Sequence, residues 1–282
     1  MKLITQPKDG IAPILRAVRS ASKSIDIAIF RCDLEELERE LAAAVTRGVI
    51  VRALVANTNT GGNKSLRALE LRLLEGGVTV ARTDDDLVRY HGKIILIDRA
   101  TLFVLGFNFT AADLASRSFG VRTKKPKILR DVLGLLDADA LRNQYTPTAP
   151  DLVISPDNSR VRLTQFLSKA RKSLEIYDPG LTDDKMIALL KELAARGVTI
   201  RILGKLEKKW QGDDIDARPY PGKRLHVRSI IRDGSRVFVG SQSLRKLELD
   251  KRREVGLIVR DPVIVKGIRK VFEKDWKLTG NK

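Results

Sequence analysis

The chain writes part of itself twice. Ala21-Ser22-Lys23-Ser24-Ile25-Asp26-Ile27 returns 149 residues later as Ala170-Arg171-Lys172-Ser173-Leu174-Glu175-Ile176. Arg47-Gly48-Val49-Ile50-Val51-Arg52 returns at the same offset as Arg196-Gly197-Val198-Thr199-Ile200-Arg201. A period this long copies a whole packed substructure, so the two halves must share a fold. In both copies a glycine, free of a Cβ, ends a helix and an alternating strand follows. The first half reads as a helix over 10–20, a strand over 25–30, a helix with an apolar stripe over 34–47 and a strand over 49–55. The counterparts are 163–170, 174–177, 183–196 and 198–203. A hairpin-like strand pair and a closing helix complete each half. This alternation predicts an α/β fold with a mostly parallel core.

The halves differ in length. The first has an extra helical stretch over 64–74, and the second has the basic segment Lys205-Leu206-Glu207-Lys208-Lys209-Trp210 followed by a polar loop. Asn143-Gln144-Tyr145-Thr146-Pro147-Thr148-Ala149-Pro150 lacks apolar periodicity and marks the junction. The expected lobes are therefore 1–146 and 147–282. Two similar halves on one chain amount to a fused dimer, whose special place is the pseudo-twofold interface.

Composition limits the partners. Lys and Arg total 53 against 35 Asp and Glu, a net charge of +18. With 43 % apolar and 31 % charged residues the chain is neither disordered nor collagen-like. The positive excess favours a polyanion, either nucleic acid or an anionic membrane surface. A single cysteine, Cys32, excludes a disulfide framework and a cysteine-built metal site. The first residues lack the apolar stretch of a signal peptide, and no run approaches the roughly 18 apolar residues of a membrane span. A cytoplasmic location is the expectation.

The two histidines carry the chemistry. They lie in His91-Gly92-Lys93-Ile94-Ile95-Leu96-Ile97-Asp98 and His226-Val227-Arg228-Ser229-Ile230-Ile231-Arg232-Asp233, at corresponding places of the repeat. Both read His-x-(Lys/Arg)-x4-Asp. By chance both would do so in about one of several thousand chains of this composition. Residues two apart on a strand share a face, so His91 points with Lys93 and His226 with Arg228. A cation beside an imidazole fills a core poorly but holds a phosphate well: the cation takes the non-bridging oxygens and the imidazole reaches phosphorus or the leaving oxygen. One such pair alone is commonly an exposed edge-strand pair; two in register argue against that. Asp98 and Asp233 fall past the strand at a turn and read as structural. Asp84-Asp85-Asp86 reads as a solvated loop, Thr58-Asn59-Thr60-Gly61-Gly62-Asn63 as a flexible turn, and no metal site is expected.

With these motifs the sequence resembles the phospholipase D superfamily, the HKD phosphodiesterases, over nearly its whole length. Leu105-Gly106-Phe107-Asn108-Phe109-Thr110 is similar to the family's Gly-Ser-x-Asn-x-Thr, and Gly240-Ser241-Gln242-Ser243 follows the second motif. Arg253-Glu254-Val255-Gly256 looks like its closing Asn-x-Glu-Val-Gly. The resemblance implies two similar lobes, each a mixed β-sheet flanked by helices, related by a pseudo-twofold with the active site between them. It also implies no cofactor and a covalent phosphohistidine. There are departures: Arg228 replaces the second Lys, Gly106 a Ser and Ser243 an Asn. Glu254 follows His226 by 28 residues, whereas the residue 28 after His91 is Phe119, beside Ser118, and neither is acidic. The asymmetry fits either two chemically distinct histidines or a weakened enzyme.

Two imidazoles on one phosphodiester divide the labour between nucleophile and acid/base, which requires different proton affinities. A carboxylate beside an imidazole stabilises its cation, so Glu254 is expected to mark His226 as proton donor and leave His91 as nucleophile; the swapped assignment stays open. Lys93 and Arg228 are expected to clamp phosphate oxygens, with Asn108 and Ser243 as supporting donors. Ser241, Lys208, Lys209 and Trp210 are candidate substrate contacts. The basic clusters Lys124-Lys125-Pro126-Lys127, Lys223-Arg224 and Lys251-Arg252-Arg253 suit a groove that tracks a nucleic-acid backbone. The expected function is a metal-independent phosphodiesterase, foremost a nuclease on DNA or RNA. The alternatives are a phospholipid hydrolase or phosphatidyltransferase acting on anionic phospholipid, and a weakened nucleic-acid-binding module. Both motifs lie on one chain, so a monomer suffices for a complete site.

Overall fold

The computed structural model describes residues 1–58, 63–83, 87–206 and 215–280. Asp84, Asp85, Asp86, Lys208, Lys209, Trp210 and residues 59–62 of the polar turn lie outside these, so the readings attached to them stay expectations.

The first half runs β1 (Lys2–Gln6), α1 (Ala12–Arg19), β2 (Ser24–Ile29), α2 (Glu35–Thr46), β3 (Ile50–Val55), α3 (Asn63–Glu75), β4 (Thr79–Arg82), β5 (Arg89–Tyr90), β6 (Ile94–Ile97), β7 (Thr101–Leu105), α4 (Ala111–Leu114), β8 (Ser118–Thr123) and α5 (Pro126–Ala140). The second runs β9 (Leu152–Ser155), α6 (Ser159–Leu167), β10 (Ser173–Leu181), α7 (Asp184–Ala195), β11 (Thr199–Leu206), β12 (Ile215–Arg218), β13 (Arg228–Arg232), β14 (Arg236–Gly240), α8 (Lys246–Asp250), β15 (Arg252–Val259) and α9 (Pro262–Lys277). Gly48 and Gly197 follow α2 and α7 with φ of 84° and 86°, the left-handed conformation expected of them. Among the described residues no helix is long and apolar enough to cross a membrane.

Two mixed sheets result, with strand orders β1-β8-β7-β6-β2-β3-β4 and β12-β11-β10-β13-β14-β15-β5. The expectation of a mostly parallel core needs correction. Only the helix-linked pairs β2–β3, β3–β4 and β10–β11, together with β11–β12 and β5–β15, are parallel, and the other pairs are antiparallel. The cause is turn length: Asp98 and Asp233 sit in hairpins too short for a parallel crossover. Both have positive φ, 51° and 52°. The Asp98 carboxylate accepts the N–H groups of Ser22, Lys23 and Ser24, and Asp233 those of Arg171, Lys172 and Ser173. Each motif aspartate thus ties its hairpin to the strand before it, the structural role the spacing suggested. The repeat also keeps an ion pair: Arg52 with buried Asp26 at 2.5 Å, and Arg201 with buried Glu175 at 3.0 Å.

The halves exchange chain at their seam. β5 leaves the first sheet and pairs with β15, Tyr90 opposite Arg253. In return Arg117 bridges to Leu225. Around these straps the apolar core is continuous, and Phe119, Tyr177, Phe272 and Trp276 form a chain of ring contacts from one sheet to the other.

Candidate active site

The seam places both histidines. His91 directly follows β5, and its backbone N–H donates to Arg253 O at 2.7 Å; His226 precedes β13, and its N–H donates to Arg117 O at 3.1 Å. Each imidazole is therefore hung on the other half. Each supporting arginine is then tied to the helix that closes the histidine's own half. Arg253 pairs with Asp139 of α5, and with Asp157; Arg117 pairs bidentately with Asp275 of α9, which also accepts Tyr177 Oη–H at 2.6 Å. Arg253, grouped with a basic surface cluster from sequence, is thus a buried structural residue.

The two imidazoles are backed differently. His91 Nδ1 lies 2.8 Å from Glu254 Oε2, and its Nε2 lies 2.8 Å from Lys93 Nζ. The Phe30 ring meets His91 edge-on, with centroids 4.6 Å apart. His226 Nδ1 donates instead to the backbone carbonyl of Gly106 at 2.9 Å, and its Nε2 lies 3.5 Å from Asp113 Oδ2. This corrects the sequence reading: Glu254 backs His91, and the carboxylate beside His226 is Asp113. The parallel register of β5 on β15, invisible in sequence, carries Glu254 across the seam to the other half's histidine.

Register also explains the missing acid. β7 pairs with β8 as β14 pairs with β15, and this puts Ser118 in the place of Glu254 and Gly106 in that of Ser241. Ser241 is fully buried; its hydroxyl accepts Val255 N–H at 3.2 Å and helps keep Glu254 charged. It supports the carboxylate rather than lining the cleft, contrary to its expected substrate role. A Cβ on Gly106 would lie 3.0 Å from Phe119 O and 3.2 Å from Ser118 Oγ. The hydroxyl and the acid it would support are therefore both absent on the His226 side.

The cations and small polar groups converge. Arg228 Nε donates to Ser243 Oγ at 3.2 Å and lies 3.9 Å from Glu248. Asn108 donates both its backbone N–H, at 2.8 Å, and its amide, at 2.6 Å, to Asp113. The Ser243 N–H matches this, donating to Glu248 at 2.7 Å. The sequence reading missed Asp113 and Glu248. Each follows its histidine by 22 residues, a signal that was there to find.

Burial, then Lys93 and Arg228, pushes the proton affinity of His91 well below the ordinary histidine value. Burial, then Arg228, does the same to His226, with Asp113 opposing and Lys93 and His91 adding to the effect. Each imidazole is thus within electrostatic reach of the other half's cation. Burial lowers Lys93 to about 7, and burial raises Glu254 to about 7 against the pull of Lys93. Burial works to raise Asp113, but His226, the Asn108 N–H and Arg224 hold it below the usual carboxylate range. His91, Lys93, His226, Arg228, Asn108, Ser243 and Glu254 are therefore assembled in one cluster. Two imidazoles and two basic side chains gathered there favour an anion.

A pair of fused α/β lobes with an imidazole and a cation from each meeting at the seam defines a phosphodiester-handling class of fold. The chain matches the family model described as cardiolipin synthase, PLD-like domain, over residues 14–133 and 163–276, and it belongs to this phospholipase D-like family. A mitochondrial cardiolipin hydrolase of Chlamydomonas reinhardtii is 24 % identical over 127 residues, covering 42 % of this chain and 57 % of that protein. Cardiolipin synthase B of Salmonella typhi is 22 % identical over a 306-residue alignment, covering 88 % of this chain and 73 % of that protein. Among solved structures, polyphosphate kinase from Porphyromonas gingivalis superposes with a TM-score of 0.80 at 19 % identity. That match covers 96 % of this chain but 46 % of the kinase, and it shows the fold alone.

Proposed function

We propose that this protein is a metal-independent phosphodiesterase that acts on nucleic acid through a covalent phosphohistidine, its lobes being 1–146 and 147–282. The observation that carries the reading is the unequal backing of two imidazoles in one cationic cluster. Glu254 accepts the Nδ1–H of His91, which leaves the Nε2 lone pair for phosphorus. Lys93 donates to that lone pair, and in this mechanism it turns to a phosphate oxygen when the diester enters. Arg228, braced by Ser243, takes the other oxygens with a bidentate fork. Attack forms the Nε2–P bond and breaks the P–O bond to the leaving group. Burial and Arg228 hold the proton affinity of His226 down and Asp113 opposes them; the incoming anion adds to the Asp113 side, and His226 protonates that oxygen. The same imidazole then takes a proton from water; the resulting hydroxide attacks phosphorus and the P–N bond breaks.

Nucleic acid is favoured by the +18 charge and by exposed Lys124, Lys125, Lys127, Lys223 and Lys251, which suit phosphate contacts along a strand. A second reading, phospholipid hydrolysis or phosphatidyl transfer, is favoured by the family model's description and by curated relatives named for cardiolipin. Assays in EDTA on a single-stranded oligonucleotide and on phosphatidylglycerol vesicles in parallel separate the two. The expected result is cleavage of the oligonucleotide, lost in His91→Ala, with binding that weakens steeply with salt. Headgroup release at a comparable rate establishes the lipid reading instead. Turnover by His91→Ala removes that residue as nucleophile.

A further inference from the structure

One step before His91 and Glu254, the same two strands carry another polar pair. Arg89 stands opposite Arg252 in the register that sets Tyr90 opposite Arg253. Residues two further on share the face of those before them, so Arg89 and Arg252 project from the face that bears His91 and Glu254. The His91–Glu254 contact at 2.8 Å agrees with that register. Like charges directly opposite each other on paired strands repel. A third guanidinium adds to the crowding: burial, then Arg252 and Arg31, lowers the proton affinity of Arg89. Arg31 lies over the Phe30 ring that packs against His91, 5.6 Å from its centroid.

Little neutralises this cluster. Among the described residues no ion pair joins Arg31 or Arg89 to a carboxylate. Arg252 meets Glu248 at 3.3 Å, and its Nε is buried without a hydrogen-bond partner. Glu248 is already engaged by Ser243 N–H and lies beside Arg228. Three cations held together in this way await an anion.

We propose that Arg31, Arg89 and Arg252 bind the phosphate next to the one being cleaved, so that the preferred substrate is a strand of consecutive phosphodiesters. Two residues along a strand span about 6.6 Å, of the order of the separation between neighbouring phosphates in a nucleic-acid backbone. The grip is unequal. By the repeat and the register, the places of Arg89, Arg31 and Arg252 are taken on the His226 side by Arg224, Gly180 and Ser116, with the Arg245 guanidinium, which donates to Gly180 O at 2.6 Å, beside the second of them. Arg224 is neutralised there by Asp113 at 2.8 Å. The strand therefore lies with a fixed polarity, its gripped neighbour on the His91 flank. This rests on the nucleic-acid phosphodiesterase reading and adds the substrate's minimum length and direction to it.

Oligothymidylates with one neutral methylphosphonate on either side of a single cleavable phosphodiester test the subsite without altering the protein. Neutralising one side is expected to lower kcat/KM about tenfold or more, and neutralising the other less than about twofold. Arg89→Gln and Arg252→Gln are expected to lower the ratio of oligonucleotide to bis(p-nitrophenyl) phosphate kcat/KM by about the same factor. Equal losses on both sides, or an unchanged ratio, overturn the subsite. Cleavage of cardiolipin vesicles but of no oligonucleotide overturns the nucleic-acid assignment and moves the two-phosphate grip to a lipid. If the wild type turns over none of these, the phosphodiesterase reading fails. Binding of the same oligonucleotides to His91→Ala then decides the subsite separately: one-sided loss of affinity supports it, and symmetric loss overturns it.

Discussion

The His91 side and the His226 side of the seam have the same strands, the same hairpin aspartates and the same backbone suspension, yet their imidazoles have different neighbours. One leans on a buried carboxylate held by a serine; the other leans on a carbonyl, where a glycine and a serine replace that serine and acid. Duplication supplied two equivalent positions, and the pair Glu254/Ser241 against Ser118/Gly106 made them unequal. A carbonyl fixes a tautomer but stabilises an imidazolium less than a carboxylate does. The contrast teaches that two like histidines can be given unlike surroundings by what lies behind them.

The largest effect that tests this contrast is chemical. His91→Ala is expected to reduce turnover to background and to form no phosphoenzyme. His226→Asn is expected to lose about 10²- to 10⁴-fold in turnover while still accumulating an acid-labile phosphohistidine from a substrate with a good leaving group. Quench-flow with labelled substrate reads both, and labelling of the His91 variant alone inverts the assignment.

A smaller effect comes from the two carboxylates. With Glu254 required ionised and Lys93 protonated, and both near 7, the activity profile should be a narrow bell centred close to pH 7. Glu254→Gln is expected to cost about 10²-fold and to remove the acid limb; Asp113→Asn should leave that limb in place. The linkage has a definite sign. Folded Glu254 holds its proton to higher pH than the unfolded chain does, so its contribution to stability falls as pH rises from 4.5 to about 7. Glu254→Gln should therefore melt no lower than the wild type at pH 8. A large drop in Tm there would make Glu254 a structural residue.

The smallest difference separates the two arginine ties. Asp275→Ala strips Arg117 of its carboxylate and should destabilise by about 3–5 kcal/mol. Asp139→Ala leaves Arg253 with Asp157, and burial raises Asp139 to about 6, so its loss should cost about 1–2 kcal/mol at pH 7. Urea unfolding measures both, and equal costs would erase the asymmetry.

Much of this was legible in the sequence because it is local. The repeat placed β2, β3, β10 and β11 and their helices within a few residues, because apolar period and glycine caps act over single turns. The histidine motifs announced the cluster because residues two apart on a strand must share a face. What stayed hidden depends on pairing between distant segments. The partner of Glu254, the burial of Arg253 and the displacement of β5 into the second sheet follow from one parallel register between β5 and β15. No periodicity reports it, since β5 is two residues long.

That short strand has a consequence for how the protein comes into being. His91 is seated by residues 163 positions downstream, a contact whose loop-closure entropy must be met late. During synthesis the first sheet can assemble on the ribosome while its histidine still lacks a strand to lie against. The cluster around His91 is complete, on this view, only when β15 emerges, so a chain interrupted anywhere before residue 252 carries His91 without Glu254 behind it.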